Sequence, residues 1–161
     1  MRQKRILEIG AIYHVVARAN RNEFIFQTEE MKSLMLEILQ KAKKRFNFQL
    51  KSFCIMGNHV HLLIKPGKGP NLSRIMQWIL SIFAIRFNKI YNLKGHVWYD
   101  RFKSKIIMSF LQFIRTFHYI QENPVRAGVV KKHSNYRYSG SWFFREQSYD
   151  LIDEPDLYML I

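Results

Sequence analysis

His59 and His61 flank Val60 in the run Cys54-Ile55-Met56-Gly57-Asn58-His59-Val60-His61-Leu62-Leu63-Ile64-Lys65. In an extended chain successive side chains alternate faces, so both imidazoles project from one face, with Cα atoms about 6–7 Å apart. Val60, Leu62 and Ile64 then fill the other face. Two imidazoles this close can converge on one small target, and a divalent metal ion is the obvious candidate. A pair of surface or hairpin-packing histidines is the alternative for the same tripeptide. Tyr119 is the second chemical candidate, with Arg115 and Asn123 one helical turn to either side of it. A phenol beside a basic side chain and an amide can serve as a nucleophile. Free tyrosine ionises near pH 10, so forming a phenolate at pH 7 costs about 4 kcal/mol. A metal ion or base has to lower that cost or take the proton during attack. The alternative for Tyr119 is an amphipathic surface residue.

The elements that must position these groups are legible from periodicity. Gly57-Asn58 reads as a two-residue turn between a strand at Phe48–Met56 and the strand carrying the histidines. An earlier strand, Ile9–Ala19, puts Tyr13, Val15 and Ala17 on one face and Ile12, His14, Val16 and Arg18 on the other. Thr28 is an N-cap, followed by Glu29 and Glu30 and by a stripe of Met31, Leu34, Met35, Ile38, Ala42 and Phe46 at helical spacing. Lys41, Lys43, Lys44 and Arg45 near its end suit the helix dipole. After the loop Pro66–Pro70, Asn71 caps a second helix to about Asn88, and residues 97–108 read as extended. The third helix spans about Ser109–Asn123, where Pro124 limits it. Its apolar stripe is Phe110, Phe113, Ile114, Phe117 and Ile120; Tyr119 lies on the polar stripe. The order β-α-β-β-α-β plus a helix predicts an α+β, ferredoxin-like split β-α-β domain with an antiparallel sheet, the extra helix carrying Tyr119.

The 161 residues form one predicted domain, with a core over about 9–142 and an acidic, apolar C-terminal extension over about 143–161. A hydrophobic content of 48% with 15% aromatics excludes general disorder. Lys and Arg number 26 against 12 acids, a formal charge of +14 with a pI near 10.1, which favours a polyanionic partner. No apolar run approaches the roughly 18–20 residues of a membrane span, and Met1–Arg5 precedes no apolar signal segment. Cys54 is the only cysteine, so no intrachain disulfide is possible and a reducing compartment, the cytoplasm, fits. Nucleic acid is therefore the expected partner rather than a membrane. Arg18, Arg21, Arg101, Lys103 and Arg126 are the candidates for phosphate contacts.

Four blocks in order resemble the single-tyrosine transposases of the His-hydrophobic-His superfamily, above all the REP-associated tyrosine transposases. These are Tyr13-His14-Val15 with Arg18 and Asn20-Arg21; Met56–Leu63; Gly95-His96-Val97-Trp98 with Arg101-Phe102-Lys103-Ser104; and Tyr119-Ile120 with Asn123–Gly128. The resemblance implies a bacterial or archaeal enzyme that cuts single-stranded DNA beside a hairpin and mobilises hairpin repeat elements, as a monomer or homodimer. It implies that His59 and His61 bind a divalent cation, Mg²⁺ or Mn²⁺, with Asn123 completing the site, and that Tyr119 forms a 5′-phosphotyrosine. Ligands of this kind would also accept Co²⁺, Ni²⁺ or Zn²⁺. Gly57 stands where many relatives have proline, a change that leaves the ligands intact. The rival from another class is a non-catalytic single-stranded nucleic-acid-binding module on the same fold. A replication initiator or relaxase would share the chemistry but carry more chain.

Overall fold

Tyr13, Val15 and Ala17 are buried while His14, Val16 and Arg18 are half-buried or exposed, the alternation expected of a strand with one face in the core. In the computed structural model, which describes residues 7–69 and 71–154, this strand is β1, Tyr13–Arg18. The predicted start at Ile9 is four residues early, because Gly10 takes a left-handed φ of 77° in a turn. The N-terminal Met1–Arg5, Pro70 of the predicted loop and residues 155–161 of the predicted extension lie outside the described residues.

Helix α1, Glu29–Arg45, starts where the Thr28 hydroxyl accepts the Met31 N–H and buries Met31, Leu34, Met35, Ile38, Leu39 and Ala42. It leads into β2, Phe48–Ile55, which turns into β3, His59–Pro66. The Met56 N–H donates to the His59 carbonyl at 2.9 Å, so Gly57-Asn58 is the two-residue loop predicted. Neither residue takes a positive φ, so the turn is not a mirror-image type. A Cβ at Gly57 would lie 2.9 Å from the Phe24 ring, so a close approach explains the glycine. Helix α2, Leu72–Tyr91, begins with the Asn71 side chain accepting from Arg74 N–H and stops at Asn92, left-handed with φ 50°. It packs against α1.

Strand β4 is shorter than predicted, Lys103–Ile106. Before it the chain bends, held by Asn20 N–H to Val97 O at 2.8 Å, Tyr99 N–H to Arg18 O at 2.9 Å and the Trp98 indole N–H to Leu80 O at 2.9 Å. Helix α3, Phe110–Arg126, does not stop at Asn123 as expected. Pro124 sits in its last turn, where one N–H is lost but Ala127 N–H still donates to Asn123 O at 3.0 Å and Val129 N–H to Pro124 O at 2.9 Å. Phe113, Phe117 and Ile120 are buried as predicted, whereas Phe110 in the first turn is exposed.

The sheet order is β2-β3-β1-β4, with every neighbouring pair antiparallel. β3 is inserted between β1 and β2, which is the split β-α-β arrangement predicted. Register puts Cys54, His61, Val16 and Lys103 in one row across the sheet, and Ser52, Leu63, His14 and Lys105 in the next row on the same face. Residues 138–153, including α4 at Gly140–Arg145, meet the free edge of β2. There Ile55 N–H donates to Tyr138 O, and Asp153 bonds both backbone groups of Leu50. Leu151 and Ile152 are fully buried beside it.

Candidate active site

Hairpin register decides which histidines meet. His59 lies opposite Arg18 and His61 opposite Val16, while His14 on β1 is the diagonal neighbour of His61. The rings of His59 and His61 are 4.9 Å apart between centroids and nearly perpendicular, and His14 stacks on His61 at 5.2 Å. His14 Nε2 and His61 Nδ1 are 3.0 Å apart. His59 Nδ1 lies 2.6 Å from Asn58 Oδ1. His61 is only 4% exposed, and its Nε2 is buried with no hydrogen-bond partner.

Burial holds all three rings neutral. It is the main cause that pushes His61 down to about 3, with His59, His14 and Arg18 adding repulsion. Burial, then Arg18, pushes His59 down to about 4. His14 is lowered by burial and then by Lys105. The neutral form is the one that can ligate a metal ion.

Helix α3 brings Tyr119 over this face. Its ring centroid is 5.7 Å from that of His61, edge to face, and 6.1 Å from that of His14. Its polar-stripe position leaves it 41% exposed, so it is open to substrate. The Arg126 guanidinium lies 5.2 Å from the Tyr119 ring centroid, held there because position 126 is seven residues on, two turns along the same helix face. Beside the tyrosine runs an open groove of about 400 Å³ whose lining includes His14, Lys105, Gln112, Arg115 and Thr116. A larger cleft, about 660 Å³, lies between α2 and residues 95–102 and is lined in part by Trp98 and Arg101.

The structure thus brings together His59, His61 and Tyr119, with Arg18 opposite His59, Lys103 on the same face in the His61 row, and Arg126 on the phenol. Arg21 is exposed in the turn at Asn20–Asn22 and Arg101 lines the larger cleft, so neither joins this cluster. The Asn123 amide donates to the Tyr119 carbonyl at 3.0 Å, turned to its own helix. Among the described residues no group of three His, Cys, Asp or Glu side chains is arranged to hold a metal ion. His14, Asn58 and Lys105 were not among the sequence candidates, and Arg115 was read only as the basic neighbour of Tyr119 on its helix. For His14 the signal was present in its alternation with Arg18 on one strand face; Lys105 and Arg115 come together only in the fold, where both line the groove beside Tyr119.

Comparison with known proteins gives a concordant picture. A family profile described as "Transposase IS200 like" matches residues 9–123. The fold resembles that of a REP-associated tyrosine transposase bound to a REP hairpin, at 21% identity and a TM-score of 0.73, covering 98% of this chain and 93% of that one. It also resembles a candidate transposase from Deinococcus radiodurans R1, at 16% identity and a TM-score of 0.53, covering 76% of this chain and 97% of that one. Both likenesses concern the fold. No curated protein matches the chain.

Proposed function

The chain belongs to the IS200-like transposase family, and from that premise we propose that it cuts and rejoins single-stranded DNA beside a hairpin, with Tyr119 as nucleophile. As a transposase it binds DNA and acts in DNA transposition. The single observation that carries the finer reading is the convergence of Tyr119 on the His59–His61 face, 5.7 Å between the Tyr119 and His61 rings.

The residues fit a divalent cation. His61 Nε2 is a buried nitrogen left without a partner, and both rings are neutral, as ligation requires. His59 and His61 would hold the ion, with the Asn123 amide as a third ligand if it swings from its helix. With no carboxylate in the set, the scissile phosphate itself supplies negative charge. A cation bound there, Mg²⁺ or Mn²⁺, supplies charge neutralisation of the phosphate. The Tyr119 oxygen attacks the phosphorus in line; the P–O3′ bond breaks and a P–O bond to tyrosine forms. The phenol proton leaves and the released 3′ oxygen takes one up. Rejoining is the same exchange run with a 3′-hydroxyl as attacker, so bond count is conserved and no external energy is needed. Arg126 stands beside the phenol where negative charge develops. Arg18, Lys103, Lys105 and Arg115 line the approach and serve phosphate contacts.

The test is a denaturing-gel assay with hairpin-flanked single-stranded oligonucleotides and Mg²⁺ or Mn²⁺. The parent is expected to form a covalent protein–DNA species. Tyr119→Phe loses one half-exposed hydroxyl without opening a cavity, so it should bind the hairpin as the parent does yet form no adduct and release no 3′-hydroxyl product. Cutting by the Phe variant would make water the nucleophile.

A further inference from the structure

We propose that His14 and Asn58 are positioning residues for the metal ligands: each engages a histidine through Nδ1, so that both rings offer Nε2 to the cation. The proposal rests on the metal reading above and concerns which nitrogen binds and what fixes it. A neutral imidazole has one N–H and one lone pair, and only the lone pair ligates. An unrestrained ring presents the wrong tautomer part of the time; a partner on the far nitrogen removes that freedom.

For His59 the assignment follows from the orientation of the Asn58 amide. Asn58 Oδ1 can only accept, so the 2.6 Å contact puts the hydrogen on His59 Nδ1 and leaves Nε2 bare. Asn58 is itself pinned, because its carbonyl accepts the Ala19 N–H at 2.8 Å and ties the turn to the end of β1. For His61 the 3.0 Å pairing with His14 allows two proton placements. If His14 donates, His61 Nε2 must carry a hydrogen, which would be a buried donor without an acceptor. Orphaned buried N–H groups are rare and cost about 1–3 kcal/mol. If His61 donates, its Nε2 is a bare lone pair, and a cation would satisfy it. Stacking at 20° between ring planes keeps His14 in that role, and its diagonal register position sets the reach. One partner comes from the turn and the other from the neighbouring strand, so the ligand pair is oriented before any metal arrives.

The experiment measures Mn²⁺ affinity of the full chain by calorimetry, with hairpin binding and circular dichroism as folding controls. His14→Leu and Asn58→Leu are each expected to weaken Mn²⁺ binding by about 10–100-fold while hairpin affinity holds. His14→Gln and Asn58→Asp, which restore an acceptor, should recover most of the loss. In ¹⁵N-histidine spectra of the metal-free parent, His59 and His61 should both appear as Nδ1–H tautomers. Leucine variants that bind Mn²⁺ as tightly as the parent overturn the positioning roles and leave the metal site standing. An Nε2–H tautomer on His61 overturns the role of His14. A parent that binds no Mn²⁺ overturns the metal reading and the positioning roles together.

Discussion

Neutral imidazoles buried in a sheet that carries Arg18, Lys103 and Lys105 make an acid-sensitive centre. As pH falls through 6.5 the unfolded chain takes up protons on its histidines, whereas folded His59 and His61 resist until about 4 and about 3. Across that window protons favour the unfolded state, so stability is full above pH 6.5 and is lost progressively below it. The melting temperature of the metal-free chain should therefore drop between about pH 7 and pH 5, and His61→Gln should flatten that drop; an equally steep fall in the variant would mean that other groups titrate there. At the same scale, replacing both His59 and His61 with alanine should abolish cleavage but spare hairpin binding, which the basic surface supplies. Cleavage that survives the double substitution and EDTA would remove the metal from the chemistry.

Among the elements, β2 is the exposed problem, since an edge strand presents unpaired backbone groups. The chain after α3 covers it: Tyr138 O accepts from Ile55, the Tyr136 hydroxyl donates to Ile55 O, and Asp153 closes the far end. One Asp153 oxygen accepts both the Leu50 N–H and the Lys43 ammonium at 2.7 Å, while the Asp153 N–H donates to Leu50 O. This lies beside the β-bulge between Leu50 and Ser52, where ladder pairing is disturbed. Asp153→Ala leaves the buried Leu50 N–H without its acceptor, so a loss of about 1–3 kcal/mol is expected in urea unfolding. An unchanged midpoint would show that water replaces the carboxylate. Because β2 pairs with β3 all the way to the histidine turn, this edge also steadies the site.

For the whole molecule the governing quantity is charge, +14 over 161 residues. No helix among the described residues is long and apolar enough to cross a membrane. With several phosphate contacts along the Tyr119 face, hairpin affinity should fall on the order of a thousandfold between about 50 and 200 mM salt. A flat response, measured by fluorescence anisotropy, would mean that few ion pairs form. Structured single strands should compete better than plain duplex, because the phenol stands at the rim of an open groove about 400 Å³ in volume.

Much of this was written locally. Alternation in Tyr13–Arg18, the caps at Thr28, Asn71 and Ser109, and the stripe Phe113-Phe117-Ile120 are decided by neighbours in sequence. That is why the element order, the sheet faces and the paired histidines could be read without coordinates. The length of β4 and the run of α3 through Pro124 could not, because long-range bonds such as Trp98 to Leu80 and caps beyond the proline set them. Sequence also placed Tyr119 and Asn123 one helical turn apart, but not which way each side chain turns. Only the tertiary structure put His14 against His61 and laid Tyr119 over both. Contacts across 47 residues or more depend on strand register and helix packing, which no local pattern encodes.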